Sequence, residues 1–323
     1  MPRKIHIHGT VLFVTFSLET GLLLLANSLL KTIIGSALAR AQELYPLTIC
    51  HFLFEASHVH LIVVVDNPDD VKGFIERFKT ESAHAINRLL GRKKRTVWCE
   101  GYDSPVLLTP ADVIREIVYT YTNPAKDNLE DSIRRYPGLS SWEMFTKGRP
   151  EQQWAWIHRS DVPCIKRKYV SLQKFNAIAG QLISKAKERH SFRIEPNAWM
   201  ECFGICAQED QDELNAEILK RIKDTEKYYR QKRLKTRKRV MGRERLLKEQ
   251  LKPNYEPQRE GCRMWCICED KQLRISFITR IKGLIAEAVE VYKRWKLGDY
   301  SQPFPLGLYP PSMPKLAEPV AIP

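Results

Sequence analysis

The sequence lacks an uninterrupted apolar run long enough to cross a membrane. Its most apolar stretch, residues 21–39, carries Lys31 near its middle, and a charge at that depth is costly in a bilayer. We therefore expect a helix packed on a sheet there, and no membrane partner. The basic start of the chain, Met1 to Lys4, is followed by strand-like residues instead of the apolar segment of a secretory signal. Without an export signal we expect a cytoplasmic protein with reduced cysteines.

The chain also lacks the cysteine spacing of the common zinc modules. The closest patterns are Cys202-x₃-Cys206 and Cys262-x₃-Cys266-x-Cys268, and no histidine nearby completes either of them. Free, buried thiols are the expected state of these residues, and zinc binding stays open as the alternative.

Acidic residues are scarce in the second half of the chain. Residues 1–150 hold 18 basic and 16 acidic residues, whereas residues 151–323 hold 34 and 22, and the net charge of the whole chain is +14. An excess of this size favours a polyanionic partner, most often nucleic acid. We therefore predict a globular domain at 1–150 and a basic, mainly helical region at 151–323 that ends in a proline-rich tail.

Hydrophobic periodicity gives the elements of the first half. It predicts strands at 10–16, 47–56 and 58–65, and helices at 21–39, 67–91 and 109–125. Strands mixed with helices, including a hairpin-like pair of strands, indicate an α+β fold with an antiparallel sheet. In the second half, residues 210–250 are predicted to form one long charged helix and residues 271–296 an amphipathic one.

Two histidines lie two residues apart in the predicted strand 58–65. Side chains at i and i+2 of a strand project from the same face, so His58 and His60 can reach one metal ion. The pattern alone is weak, and a pair of hydrogen-bonded structural histidines is its ordinary explanation. His6 and His8 have the same spacing, and we expect that pair to be structural or exposed to solvent because nothing near it completes a site.

The predicted helix 109–125 supplies what the His58/His60 pair lacks. Tyr119 and Asn123 are spaced i, i+4 and share one helix face, with Arg115 one turn earlier. A tyrosine is a competent covalent nucleophile, and a carboxamide can be a third metal ligand. Tyr121 is the rival nucleophile on the same helix.

These motifs, in this order, resemble the single-tyrosine HUH transposases, and among them the REP-associated tyrosine transposases. The resemblance covers roughly residues 8–146. It rests on His58-Val59-His60, on Tyr119 followed after three residues by Asn123-Pro124, and on the segments "WCEGYDSPVL" and "YPGLSSWEMF". The chain departs from the family at Ser57, where Asn or Asp is frequent, and after Asn-Pro, where "AKDN" replaces the usual Val-Arg-Ala-Gly.

The resemblance implies a ferredoxin-like α+β fold, the HUH endonuclease fold, in an enzyme that cleaves and rejoins single-stranded DNA during transposition. It implies that His58, His60 and Asn123 hold Mg²⁺ or Mn²⁺ and that Tyr119 forms a 5′-phosphotyrosine intermediate at hairpin-forming DNA. It also implies a bacterial protein, monomeric or homodimeric, that is nucleoid-associated when on DNA. A non-catalytic protein that binds DNA hairpins is the alternative. A water-using phosphodiesterase is disfavoured because the motifs lack a cluster of carboxylates.

Basic residues outside the motifs are the predicted DNA contacts. Fourteen lysines and arginines fall between Lys220 and Lys248, interleaved with Tyr228 and Tyr229, a composition that suits a salt-sensitive grip on the DNA backbone. A solvated helix face is the usual explanation of a charge run, but this run is largely of one sign. The predicted DNA-binding residues are Lys79, Arg92, Lys93, Lys94, Arg95, Arg115, Arg230, Lys232, Arg233, Lys235, Arg237, Lys238 and Arg239.

Overall fold

The computed structural model describes residues 4, 6–19, 24, 26–91, 96–164, 171–248 and 264–314. Its strands are β1 (Val11–Ser17), β2 (Thr48–Phe54), β3 (His58–Val64), β4 (Val106–Leu107), β5 (Glu151–Ala155), β6 (Arg189–Arg193) and β7 (Cys266–Ile267). Its helices are α1 (Ser28–Leu44), α2 (Pro68–Leu89), α3 (Pro110–Lys126), α4 (Trp142–Thr146), α5 (Leu172–Lys185), α6 (Ala198–Glu201), α7 (Gln208–Thr236), α8 (Arg243–Lys248) and α9 (Lys271–Lys296).

The central sheet has the strand order β2-β3-β1-β4-β7. The first four strands are antiparallel, and their connection through α1 and α2 gives the βαββαβ order of a ferredoxin-like fold. β7 adds to β4 in parallel, so the sheet is mixed at that edge. The α+β fold with helices on a mainly antiparallel sheet is confirmed.

The two faces of the sheet are buried in separate cores. Val59, Leu61 and Val63 point into the core that α1 and α2 cover, because alternate residues of a strand face opposite ways. Ile62 and Val64 point into the second core, which α3 covers with its own apolar residues. Side chains of β3 that share the parity of Ile62, including His58 and His60, therefore lie on the same side of the sheet as α3.

Side-chain caps mark the starts of α1 and α3. The side chain of Asn27 accepts from the Leu30 amide, so α1 begins at Ser28, later than the periodicity predicts. At α3 the Thr109 hydroxyl accepts from the Asp112 amide, and Pro110 occupies the first turn, where its missing N–H has no cost. This N-terminus fixes the rotation of α3 about its axis and thus the face that Tyr119 and Asn123 share.

The second half of the chain packs directly on the first. α5 and the two-stranded sheet of β5 and β6 lie against α1, and α7 lies along α3. The predicted single helix 210–250 is wrong: α7 ends at Thr236 because Arg237 adopts a left-handed backbone, φ 53°. Gly242, φ 82°, then precedes α8, and the turn folds α8 back toward the end of α3. Among the helices that the structure describes, none combines the length and apolar character needed to span a bilayer.

Candidate active site

The two histidines of β3 meet at the face of the sheet that α3 covers. Their rings are 4.7 Å apart between centroids and nearly perpendicular. His60 is buried and stacks on Phe13, while the side chain of His58 keeps 26% of its surface exposed. Burial and the neighbouring His58 and Lys126 lower the pKa of His60 well below its ordinary value, so at neutral pH this imidazole is neutral, the form in which it binds metals.

Asn123 reaches the pair of histidines from α3. Its carboxamide nitrogen lies 2.7 Å from Nε2 of His60 and 3.4 Å from Nε2 of His58, and the residue is fully buried. A 180° rotation of the carboxamide exchanges nitrogen for oxygen at the same place. Asn123 can therefore present an oxygen ligand to an ion that both imidazoles hold.

Tyr119 lies on the same side of α3, half-buried, with its ring 5.5 Å from that of His60. Lys126 Nζ donates a hydrogen bond to the Tyr119 hydroxyl at 3.0 Å and lies 3.4 Å from Asn123 Oδ1. Burial alone would lower the pKa of Lys126, but the hydrogen bond to Tyr119 and the nearby carboxylates of Asp127 and Glu55 raise it. The Tyr119 hydroxyl is therefore in contact with a positive charge. From the sequence alone, no role was assigned to Lys126.

Tyr121, the rival nucleophile, faces away from the histidines. Its hydroxyl is fully buried between His51 Nδ1 and Ser141 Oγ, each at 2.8 Å. Burial raises the pKa of this phenol, and no DNA phosphate can reach it without opening the core. Because Tyr119 and Tyr121 are two residues apart in a helix, their side chains lie on different faces of α3.

Glu55 is a second residue that the sequence interpretation missed. It follows β2 in the tight turn to β3, is 2% exposed, and its Oε2 lies 2.9 Å from His58 Nε2. Burial raises the pKa of this carboxyl, and His58 partly offsets the effect. Among the described residues, Glu55, His58 and His60 form the one group of three histidine, cysteine or acidic side chains that can hold a metal ion, with ligand atoms within 4.8 Å of one another.

The residues around this site fit a divalent cation. Two imidazoles, a buried carboxylate and a buried carboxamide converge, and Oε1 of the carboxylate has no hydrogen-bond partner in the described part of the chain. Imidazole together with oxygen ligands suits divalent ions that act on phosphates. Ser57 Oγ lies 3.0 Å from His58 Nδ1, so the residue that departs from the family pattern contacts the ring nitrogen on the other side.

Three of the predicted DNA contacts make hydrogen bonds or ion pairs within the protein. Lys79 Nζ donates to the carbonyls of Cys99 and Gly101, and burial lowers its pKa to about 8. Arg115 is paired with Asp112, Glu116 and Glu269. Arg233 is 6% exposed and donates to the carbonyl of Ala125 and to Asp131.

We therefore leave Lys79, Arg115 and Arg233 out of the proposed DNA surface. In each case the positive charge is taken up by carbonyl or carboxylate oxygens of the protein, which the sequence pattern could not indicate.

The other predicted DNA contacts on α7 and in the turn after it are exposed. They are Arg230, Lys232, Lys235, Arg237, Lys238 and Arg239. Tyr228 is also exposed, with its ring 5.4 Å from that of Tyr229. Arg92, Lys93, Lys94 and Arg95 lie outside the described residues. The end of α7 that carries the exposed charges lies beside the end of α3.

Of the other histidine pair, His6 is buried and His8 is exposed. The ring nitrogens of His6 contact the Tyr309 and Ser104 hydroxyls, and His8 Nδ1 lies 2.7 Å from the Asp66 carbonyl. The described cysteines form no metal-binding group with other histidine, cysteine or acidic side chains, and Cys262 lies outside the described part of the chain.

The fold and the site agree with what the motifs imply. Two histidines on a strand meet a tyrosine and an asparagine on the helix that covers it, all on a ferredoxin-like sheet, as the resemblance to the single-tyrosine HUH transposases predicts. Residues 24–121 match the family model described as "Transposase IS200 like", which confirms the resemblance drawn from the motifs and supports a transposase-type function on DNA.

One similar structure, described as "Structure of the REP associates tyrosine transposase bound to a REP hairpin", is 20% identical, with a TM-score of 0.39. The match covers 46% of this chain and 86% of that one. No curated protein matches the chain.

Proposed function

We propose that this protein is a transposase that cleaves and rejoins single-stranded DNA with Tyr119 as its nucleophile. The observation that carries the proposal is the meeting of Tyr119 and Asn123, from α3, with His58 and His60, from β3, although more than fifty residues separate the two motifs. The family match supports the same reaction class. Hairpin-forming DNA is the proposed substrate because the motifs resemble the REP-associated tyrosine transposases.

The proposed reaction exchanges one phosphoester bond for another. The Tyr119 oxygen bonds to phosphorus and the bond from phosphorus to the 3′ oxygen breaks, which leaves a 5′-phosphotyrosine and a free 3′-OH. The proton that Tyr119 loses balances the one that the 3′ oxygen gains, so neither water nor a nucleotide cofactor is consumed. Rejoining is the reverse, with a 3′-OH attacking and Tyr119 leaving.

Each residue of the site has a part in this reaction. His58, His60 and Asn123 would hold Mg²⁺ or Mn²⁺, which when bound neutralises the non-bridging phosphate oxygens. Phe13 packs against His60 and Tyr119 and fixes the angle between their rings. Lys126 donates to the Tyr119 hydroxyl and favours the negative charge that develops on this oxygen as it attacks or leaves.

The proposed DNA grip lies next to this site. The exposed basic residues at the end of α7 are close to the last turn of α3, and Tyr228 offers a surface on which a base can stack. A strand held by these residues would be placed within reach of Tyr119. We propose that this surface holds the backbone without reading sequence.

A denaturing-gel assay tests the proposal with labelled hairpin DNA, single-stranded flanks and Mn²⁺. We expect a covalent protein–DNA adduct with the wild-type chain and none with Tyr119→Phe, whereas Tyr121→Phe keeps it. His58→Ala is expected to lose cleavage but to retain DNA binding, since the grip comes from α7. DNA binding without an adduct across several hairpins would overturn the enzyme and leave a hairpin-binding protein.

A further inference from the structure

Glu55 places a buried carboxylate in the metal site with a single polar contact. Both of its oxygens are inaccessible to solvent, and Oε1 has no hydrogen-bond partner in the described part of the chain. Nε2 of His58 lies 2.9 Å from Oε2 and donates to it when that nitrogen carries a proton, but an Nε2 that binds a metal ion has no proton to donate. A buried carboxylate left in this state is costly, so the site needs a cation or a proton there.

The side of the histidine ring that Glu55 contacts decides between two roles. A carboxylate that only orients a metal-binding histidine contacts the ring nitrogen that faces away from the ion. In His58 that nitrogen is Nδ1, and it is already in contact with Ser57 Oγ at 3.0 Å. Glu55 contacts Nε2 instead, the nitrogen that also lies 3.4 Å from Asn123 and on the side of His60.

We propose that Glu55 is itself a ligand of the divalent cation, beside His58, His60 and Asn123. This assignment rests on the proposed function and adds an anionic oxygen to a ligand set that is otherwise neutral. The carboxylate lowers the net charge of the occupied site by one, and it explains how a fully buried acid is kept beside two imidazoles. With Glu55 as a ligand, the site binds hard ions such as Mn²⁺ and Mg²⁺ better than a site of nitrogen ligands alone would.

Mn²⁺ titration of the full chain without DNA, followed by electron paramagnetic resonance, tests this role directly. Glu55→Gln keeps the size of the side chain and removes its charge, and we expect its Mn²⁺ affinity to fall more than ~100-fold, beyond the roughly 10- to 100-fold loss typical of an outer-shell partner. Glu143→Gln, on an exposed face of α4, removes the same charge elsewhere and is the matched control. A loss within the outer-shell range, or no loss, in Glu55→Gln would overturn the assignment.

A thermal-unfolding series keeps the test informative if the variant is altered in folding. Without metal, Glu55→Gln should be at least as stable as the wild type, because it loses a buried charge. Mn²⁺ at about 10 times the wild-type Kd should raise the Tm of the wild type and of Glu143→Gln, and should raise that of Glu55→Gln much less. A wild type that binds Mn²⁺ and forms no adduct refutes the proposed function alone, whereas equal Mn²⁺ binding by both chains refutes the role of Glu55 alone.

Arg233 joins the basic helix α7 to the helix that carries Tyr119 and Asn123. Its buried guanidinium donates to the carbonyl of Ala125, one of the last carbonyls of α3, and to Asp131 at 2.6 Å. The last turn of a helix leaves such carbonyls without a partner inside the helix. The same turn carries Asn123 and Lys126, which contact His60 and Tyr119.

Further contacts from the second half of the chain hold the segment that follows α3. Glu226, on α7, accepts from the Ile133 amide at 2.7 Å, and Glu130 accepts from the Arg243 amide at 2.8 Å. The amides of Met241 and Gly242 donate to carbonyls of this segment as well. α7, the turn after it and the start of α8 thus hold the segment that follows α3.

We infer that Arg233 is a positioning residue of the reaction, which sets Asn123 and Lys126 through the last turn of α3. This role also rests on the proposed function. It separates Arg233 from the exposed basic residues around it, whose expected role is affinity for DNA. If α7 both binds the DNA strand and positions the last turn of α3, it couples DNA binding to catalysis.

The test compares the rate of adduct formation at saturating DNA with the affinity for DNA. Arg233→Gln should lower the rate about 10-fold or more, because small misplacements of reacting groups are costly, and should leave affinity within about twofold of the wild type. Arg233→Lys, which keeps the charge and one donor, should recover part of the rate. Arg189→Gln, an exposed change on β6, is the matched control and should match the wild type.

Asp131→Asn provides a second variant that leaves Arg233 in place and weakens its partner. We expect a smaller loss of rate there, together with faster hydrogen exchange of the amides at the end of α3. A loss of DNA affinity in Arg233→Gln with an unchanged rate at saturation would overturn the role and make Arg233 an ordinary DNA contact. A wild type without any adduct would remove both the reaction and this role, whereas normal rates in all variants refute only the role.

Discussion

Replacing Lys126 with methionine should slow both cleavage and rejoining. Its ammonium is 3.0 Å from the Tyr119 hydroxyl. Negative charge develops on this oxygen when Tyr119 gives up its proton to attack phosphorus, and again when Tyr119 leaves phosphorus in rejoining. A hydrogen bond to a charged group contributes about 1.5–3 kcal/mol when protected from water. Lys126 is exposed, so screening reduces the contribution to about 1–2 kcal/mol.

This energy corresponds to a decrease of roughly 5- to 30-fold in the rate of the chemical step. The assay is single-turnover adduct formation with saturating hairpin DNA and Mn²⁺, followed by addition of a strand with a free 3′-OH to measure rejoining. Lys126→Arg keeps a charged donor and should stay within about threefold of the wild type. Lys147→Met removes the same charge from an exposed end of α4 and should leave both rates unchanged.

A Lys126→Met rate within twofold of the wild type would refute the reasoning, because the geometry gives the ammonium no other partner as close as Tyr119 and Asn123 in the described chain. A lower Mn²⁺ affinity in the variant would instead point to the carboxamide of Asn123, which lies 3.4 Å from Nζ, as the group that the lysine serves. Measuring Mn²⁺ binding beside the rate separates the two contacts.

Three further predictions concern the core and the DNA grip. Tyr121→Phe should lower the free energy of unfolding by about 1–3 kcal/mol, because it leaves His51 and Ser141 without their shared partner, and should retain the adduct; an intact fold without an adduct would make Tyr121 the nucleophile. Burial lowers the pKa of His51 to about 3, so the unfolded chain takes up this proton first and stability should fall as the pH drops from about 6.5 toward 3, by roughly 2 kcal/mol at pH 5. Urea unfolding at several pH values should give a flatter profile for His51→Gln, and identical profiles would contradict this. Lys235→Gln should weaken DNA binding and reduce the slope of log affinity against log salt by about one; an unchanged slope would remove Lys235 from the proposed surface.

The local geometry of the site could be predicted because it depends on regular backbone periods. The two-residue period of a strand places His58 and His60 on one face, and the helical period places Tyr119 one turn from Asn123. Caps and periodicity also predict α2 and α3 closely. The short strands β4 and β7 carry no such pattern, since two residues are too few to show a period.

The basic run in the second half was predicted as a group and not residue by residue. Composition indicates a positive surface, but only packing decides which side chain of α7 turns inward. Arg233 is buried by its position opposite Ala125 and Asp131, whereas its neighbours Lys232 and Lys235 are exposed. The left-handed residue that ends α7 was likewise not visible, because Arg237 has no intrinsic preference for that backbone.

The sequence by itself determined the three long strands of the sheet, the faces of those strands, the histidine pair and the helix that bears Tyr119, because each follows from spacing along a regular element. Only the tertiary structure decided that Glu55 joins the histidines, that Lys126 contacts the hydroxyl of Tyr119, and that Tyr121 is sealed in the core. These contacts depend on the turn between β2 and β3 and on the docking of α3 across the sheet. Such long-range packing is fixed by the burial of many side chains at once, and no local pattern of residues encodes it.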